Sequence, residues 1–546
     1  MHTETPRLLK TIIATIIATA CATTCVRAAD LNVSEITIQD LRAGYAAGTY
    51  SAEAVTQAFL NRIAMYDPSY NAFISMNPHV LDDARAIDRR RALGETLGPL
   101  AGVPVVVKET IDVAGLPTTG SWGPLSSHAG GIDIFPEKDA PVVARLRSAG
   151  ALILGKTNTP PFATDGSRAD RSWKGPTYNA IDRRFVPGAS SSGTATAVSA
   201  NFAVAGLAEE TGGSIQNPAA AQELVAIKPT FALVPSTGVI PLSGSARDVV
   251  GVHAKTVYDA ALMLDSLAGY TIEDPKTVAA IGHVPVGGYT SRLNTSFLRG
   301  RRIGLYGLGW RQQEPSPETQ VLYKRAIAEV KARGAIAVSD PFAGSGFADL
   351  APPGINPNRD PRGFETFAYD YEKYLQHLGP SAPVHSIREV EAVTKIGLLD
   401  ADGPFGFRSD AERKKILEAG ILDVSHPDVP PDLSAFVQAR EKYLRIFNQV
   451  MSAHHLDALV FPQMLKETPL EACTELIDAA TVAQIDIAGL PAVIVPAGVY
   501  QSGAPFALIF VGRMWSEPEL LAMAYDYEMA TKHRKPPTLT NTSEAK

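Results

Sequence analysis

The hydrophobic positions along the chain change period near residue 100. Before that point, "SAEAVTQAFLNRIAMYD" (51–67) places Val55, Phe59 and Ile63 four residues apart, which predicts an amphipathic helix with Ser51 as its N-cap. "DDARAIDRRRA" (82–92) predicts a second helix, with Arg89, Arg90 and Arg91 on a solvated face. Beyond it, "GVPVVVK" (102–108) is a short β-branched run bounded by Gly and Pro, the pattern of a strand buried on both faces. "PVVARLRSAG" then reads as a helix stopped by Gly150, and "ALILG" as the next buried strand. Helix and strand alternate, so the expected class is α/β with a mostly parallel or mixed sheet.

Within this stretch "GALILGKT" (150–157) satisfies the phosphate-binding pattern G-x-x-x-x-G-K-[ST]. In a phosphate loop the strand precedes the first Gly and a helix follows the motif. Here the strand lies inside the motif and "NTPPFA" follows it, where two prolines forbid an immediate helix. The pattern predicts a helix stop, a buried strand and a turn, with Lys156 a framework residue or pocket neighbour rather than a phosphate ligand.

Two Ser/Gly-rich segments, "VPGASSSGTATAVSA" and "AEETGGSIQNPAA", flank the continuous apolar stretch "AVSANFAVAGLA". Taken singly, each would read as a flexible loop. Tied to a buried scaffold, both are candidates for chemistry.

Composition narrows the partners. With 45% apolar and 20% charged residues the chain can bury a large core, and its net charge of −7 offers no footprint for nucleic acid. A small molecule or peptide is the expected partner. The amino terminus has Arg7 and Lys10 ahead of an apolar run from Ile12 to Ala22, then small residues to Ala28 and Ala29. That is the layout of a signal peptide over 1–29, which predicts a periplasmic or secreted protein with no stable membrane span. Lipid attachment at Cys21 or Cys25 is the weaker variant, since neither follows a Leu-led lipobox. The mature chain would keep only Cys473 and form no internal disulfide. With no C-x-x-C and no H-E-x-x-H, no metal and no cofactor are expected.

The two Ser/Gly segments resemble the amidase signature hydrolases, the first being similar to that family's G-G-S-S-G-G-S stretch and the second to its T-D-x-G-G-S-I-R-x-P-A stretch. "LAGVPVVVKETIDVAG" resembles the family's G-V-P-x-x-x-K-D strand, with Lys108 in the lysine position. Further likeness runs through "ALILGKTNTPPFA", "AIKPTFALVPSTGVIPLSGSARDVVGVHAKTVYDA", "IAGLPAVIVPAG" and "FVGRMWSEPELLAMAYDYE", covering about 30–270 and 440–537. The resemblance implies a single domain over 30–540 built on a large mixed, twisted sheet with helices on both faces. Residues 271–440 would form a variable, mainly helical specificity region, and 541–546 a tail.

For the chemistry, the resemblance implies that Ser214 attacks the carbonyl, Ser190 relays its proton and Lys108 is the base, with Ser190 on a cis peptide bond. Glycines let successive N–H groups converge on one oxygen, so Thr211, Gly212 and Gly213, with the Ser214 amide, are the candidate oxyanion hole. A base has to be neutral to accept a proton, and the end of the apolar run "VPVVV" favours that by burial without a carboxylate partner, provided the adjacent Glu109 points elsewhere. Ser191, Glu210 and Gln216 are candidates for support. Ala189, Ser192, Thr194, Glu210, Gln216 and Pro161 depart from the family's Gly, Gly, Ser, Asp, Arg and Glu, departures that bear on the polarity behind the reacting groups and on a neighbouring subsite.

The expected function is an amidase acting on peptide C-terminal amides or on small aryl or alkyl amides, as monomer or homodimer. The leader and "FAYDYEKYL" point to the peptide amidase branch. An inactive scaffold of the same fold and an ammonia-releasing amidotransferase subunit stay open as alternatives. A Ser-His-Asp hydrolase is the remaining rival, without a G-x-S-x-G elbow to support it.

Overall fold

The computed structural model describes residues 31–406 and 422–541. The leader, both of its cysteines and nearly all of the 541–546 tail lie outside the described residues.

The first predicted helix spans Ala52–Tyr70, and the Ser51 hydroxyl accepts the Ala54 N–H at 3.0 Å as its cap. Val55, Phe59 and Ile63 are all buried on its inner face. The second helix runs Val80–Ala92, with acidic residues in its first turn and Arg89, Arg90 and Arg91 in its last, the distribution that complements the helix dipole.

Among the described residues eleven strands form one sheet. In chain order they are β1 (Phe73–Met76), β2 (Pro104–Lys108), β3 (Leu152–Thr157), β4 (Ala205–Glu210), β5 (Val225–Lys228), β6 (Val249–Ala254), β7 (Arg302–Leu305), β8 (Ile336–Val338), β9 (Ala458–Pro462), β10 (Ala492–Val499) and β11 (Pro505–Val511). Their order across the sheet is β1-β3-β2-β4-β6-β5-β10-β11-β9-β7-β8. β2 runs parallel to β3 and β4, and β7 parallel to β8 and β9, while the other pairs are antiparallel, so the sheet is mixed. β2, β3, β4, β6, β9 and β11 are buried along their whole length, which is why their apolar residues run together instead of alternating with polar ones. Pro496, inside β10, coincides with a shift of register against β11, where a missing N–H is tolerated.

"GALILGKT" takes the predicted form. The helix Pro141–Ser148 is followed by Gly150 at φ +89°, and the strand is β3. Gly155 is needed for close packing, since a Cβ there would lie 2.3 Å from the Ser75 carbonyl oxygen of β1. Lys156 is fully buried and donates to Thr118 Oγ1 at 2.7 Å and Pro117 O at 3.0 Å. It is a framework residue.

The stretch 271–440 carries helices Pro317–Ala332, Phe367–His377 and Ile387–Thr394, but also β7 and β8, which extend the main sheet beyond β9. The helix formed by "FAYDYEKYL" buries Phe367, Tyr371 and Leu375 in a second apolar cluster with Trp122, Leu125 and Phe162. Phe162 meets Tyr371 edge-on with ring centroids 5.2 Å apart. Tyr374 donates its hydroxyl to Asp112 Oδ1 at 2.9 Å, so this helix is pinned to the loop that follows β2. Burial pushes the Asp112 carboxyl up to about 6.

Candidate functional site

The site forms where β2 and β4, parallel neighbours, end together. Val105, Val106 and Val107 pair with Ala205, Gly206 and Leu207, so Lys108 and the Glu209-Glu210 doublet arrive at the same edge of the sheet. Ligand sites on parallel strands sit at such carboxyl ends.

Lys108 is completely buried. Its Nζ donates to Ser190 Oγ at 2.8 Å, to the Glu209 carbonyl at 3.0 Å and to Glu209 Oε2 at 2.7 Å. Glu109 points elsewhere, as expected, accepting from the N–H and hydroxyl of Thr119. The expectation of burial without a carboxylate partner does not hold: Glu209, 2% exposed, is ion-paired with the lysine.

Ser190 follows a cis Ala189–Ser190 peptide bond, and its carbonyl accepts the Thr159 hydroxyl at 2.7 Å and the Ser192 N–H at 2.8 Å. The helix Ser192–Ser199 starts directly after this turn. The two Ser/Gly segments meet where the Ser191 N–H reaches the Ser214 carbonyl at 3.4 Å. Ser214 is 6% exposed, and among the described residues its hydroxyl has no hydrogen-bond partner.

Between β4 and the helix Gln216–Ala221 the turn 211–214 leaves four consecutive backbone N–H groups that donate to no acceptor among the described residues. Gly213 is obligatory in it, at φ +98° with a would-be Cβ 2.8 Å from Asn217 Nδ2. The Thr211 hydroxyl is committed to Asp248 Oδ1 at 2.6 Å, so what Thr211 can offer an oxyanion is its backbone N–H. Arg247 Nε holds the Thr211 carbonyl at 3.1 Å.

Successive strand residues point to opposite faces. Glu209 therefore faces Lys108, while Glu210 turns to the other side and accepts Ile215 N–H at 2.6 Å, Gln216 N–H at 3.0 Å and the Gln216 side-chain amide. Ser191 Oγ lies 3.2 Å from the Glu209 carbonyl. The three support candidates thus gather behind the turn. Burial, and next the charge of Glu210, raise the Asp486 carboxyl well above the usual carboxylate range. Glu210→Ala is expected to destabilise the protein by about 3 kcal/mol in urea denaturation, since it strips acceptors from buried N–H groups. It should also lower kcat by about 10- to 100-fold. An unchanged urea midpoint would show that the turn holds itself.

Sequence reasoning missed Glu209, Asp248 and Thr159. The "EE" doublet at the end of an apolar strand was the available signal, because alternation sends one carboxylate to each face. Burial, and next the Glu209 charge, push the Asp248 carboxyl up to about 7. His253 on β6 is pushed down to about 4, mainly by burial, and its Nε2 bonds the Ile215 carbonyl at 2.9 Å. Among the described residues no histidine bonds Ser190 or Ser214, which leaves a histidine base without a seat. No cluster of three or more His, Cys, Asp or Glu suited to a metal occurs among the described residues.

A mixed sheet that brings a lysine, two serines and a turn of unpaired N–H groups together fits the hydrolases of carboxamides, and comparison with known proteins agrees. The chain belongs to the amidase family, whose model matches residues 54–343. It is 32% identical to a Glutamyl-tRNA(Gln) amidotransferase subunit from Symbiobacterium thermophilum, over 91% of this chain and 97% of that protein. Among solved structures it is similar to the peptide amidase of Stenotrophomonas maltophilia, with a TM-score of 0.76, 32% identity and coverage of 93% of this chain and 99% of that one. An amidase family protein from Bacillus anthracis matches with a TM-score of 0.74, 27% identity and 93% of both chains.

Proposed function

We propose that this amidase is an exported enzyme that hydrolyses the C-terminal amides of peptides, or small aryl and alkyl carboxamides, to an acid and ammonia or amine. The observation that carries the mechanism is the Lys108 Nζ to Ser190 Oγ hydrogen bond of 2.8 Å beside the unpartnered Ser214 hydroxyl. Ser214 attacks the carbonyl, its proton passes through Ser190, and the oxyanion rests on the N–H groups of Thr211, Gly212, Gly213 and Ser214. The proton returns to the leaving nitrogen, and water then releases the acyl group by the same relay.

The peptide amidase likeness favours the peptide substrate, and the 1–29 leader favours export and an enzyme working as monomer or homodimer over a partnered amidotransferase subunit. Among the described residues no helix is long and apolar enough to cross a membrane. Cells expressing the full chain should release ammonia from peptide amides and simple carboxamides in the exported fraction. Absence of release from every amide would overturn the activity, and release confined to the cytoplasm would overturn the export.

A further inference from the structure

The Lys108 ammonium is fully coordinated. Its three N–H groups face three acceptors, Ser190 Oγ, the Glu209 carbonyl and Glu209 Oε2, at 2.8, 3.0 and 2.7 Å. The Glu209 carbonyl and carboxylate can only accept, whereas the Ser190 hydroxyl can also donate to an amine lone pair. Ion-paired with a buried carboxylate, the lysine is an ammonium, and an ammonium cannot take a proton from Ser190 until it has given one up. The acceptor that relieves it is already in contact.

We propose that Glu209 is the terminal proton acceptor of the relay, so that the base of this enzyme is a Lys108–Glu209 pair rather than a lone lysine. The proposal rests on the reading of Ser214 and Ser190 given above. A proton leaves Lys108 Nζ for Glu209 Oε2, breaking an N–H bond and forming an O–H bond, which leaves an amine and a carboxylic acid. The amine turns about Cε–Nζ so that its lone pair faces Ser190. The Ser190 O–H bond then breaks as a new N–H bond forms on Lys108, and Ser190 takes the proton of Ser214 as Ser214 bonds the substrate carbonyl carbon. The pair gains one proton and one positive charge, matched by the oxyanion on the 211–214 turn. When the leaving nitrogen collects the proton through Ser190, Lys108 recovers its own from Glu209 and the ion pair is restored.

The surroundings suit a carboxylate that changes charge during turnover. Glu209 Oε1 lies 3.3 Å from the Thr211 hydroxyl, which bonds Asp248 Oδ1 at 2.6 Å, so a second carboxyl faces Glu209 through one hydroxyl. Asp248 also accepts the N–H groups of Leu242 and Ser243. Burial pushes His253 on β6 down to about 4, and Arg247 is engaged with the Thr211 carbonyl. Glu210 and Asp486 lie together on the opposite side of β4. Lys108 is thus the cation in direct contact with Glu209 among the described residues.

The test is the pH profile of kcat/KM for ammonia release by the full chain and by Glu209→Gln and Glu209→Asp, with fluorophosphonate labelling of Ser214 followed alongside. In Glu209→Gln a lone lysine must serve, and the acid limb should move alkaline by about 2 pH units. Glu209→Asp should keep the wild-type limb with a lowered kcat. A Glu209→Gln limb that stays in place, or moves toward acid, overturns the proposal and leaves the carboxylate a mere counter-charge. If Glu209→Gln does not fold, the equally uncharged Glu209→Met is read by the same outcomes: an alkaline displacement supports the proposal and a limb that stays or moves toward acid overturns it. Wild-type protein that neither labels nor releases ammonia would instead overturn the amidase mechanism itself.

Discussion

Ser214→Ala is expected to lower ammonia release by at least about 10⁴-fold and to abolish fluorophosphonate labelling, with the urea midpoint unmoved. The large effect follows from the site's geometry. The Ser214 hydroxyl carries no structural hydrogen bond among the described residues, so its removal costs little stability, whereas the proposed acyl-enzyme loses its attachment point. The residual rate reports what the turn's N–H groups and substrate binding contribute without a nucleophile. A Ser214→Ala protein that still turns over within tenfold of wild type would move the nucleophile elsewhere.

Lys108→Met should cost about 10³-fold or more in kcat, but it also damages the fold, and the two effects have to be separated. Removing the ammonium leaves Glu209, 2% exposed, as an uncompensated buried charge, a change that destabilises by about 3–5 kcal/mol. The double variant Lys108→Met with Glu209→Gln removes both charges together. Its urea midpoint is expected to recover most of the loss while its activity stays as low as that of the single variant. Turnover retained by a folded Lys108→Met protein would sink the lysine-based relay, and a double variant no more stable than the single one would show that the buried charge is not what hurts.

Much of this was legible from the chain. The helix beginning at Ala52, the buried run of β2 and the stop at Gly150 each follow from a local period and a capping or breaking residue, and local signals survive into the structure. Lys108, Ser190 and Ser214 were singled out by three separated motifs, and the structure brings Lys108 and Ser190 into contact and the Ser190 and Ser214 segments side by side. Glu209 was not found because its meaning is non-local. Alternation tells that Glu209 and Glu210 face opposite ways, but not that β2 is the strand next door, which depends on a parallel crossover. The same holds for β7 and β8. "RIGL" and "IAV" are too short to declare themselves, and they become strands only because β9, some 120 residues away in the case of β8, supplies the edge they extend.

That placement sets where chimeras between members of this family can be cut. A cassette cut at 271 and 440 would tear two strands from the sheet and expose the edge of β9, inviting pairing with another chain. Cuts placed after Phe342 and before Ser434 keep β7, β8 and the helix Pro317–Ala332 with their own scaffold, and transplant the helix that carries Tyr371 and Tyr374 as a unit. In a recombination library the first kind of chimera should be lost to aggregation, and the second should fold.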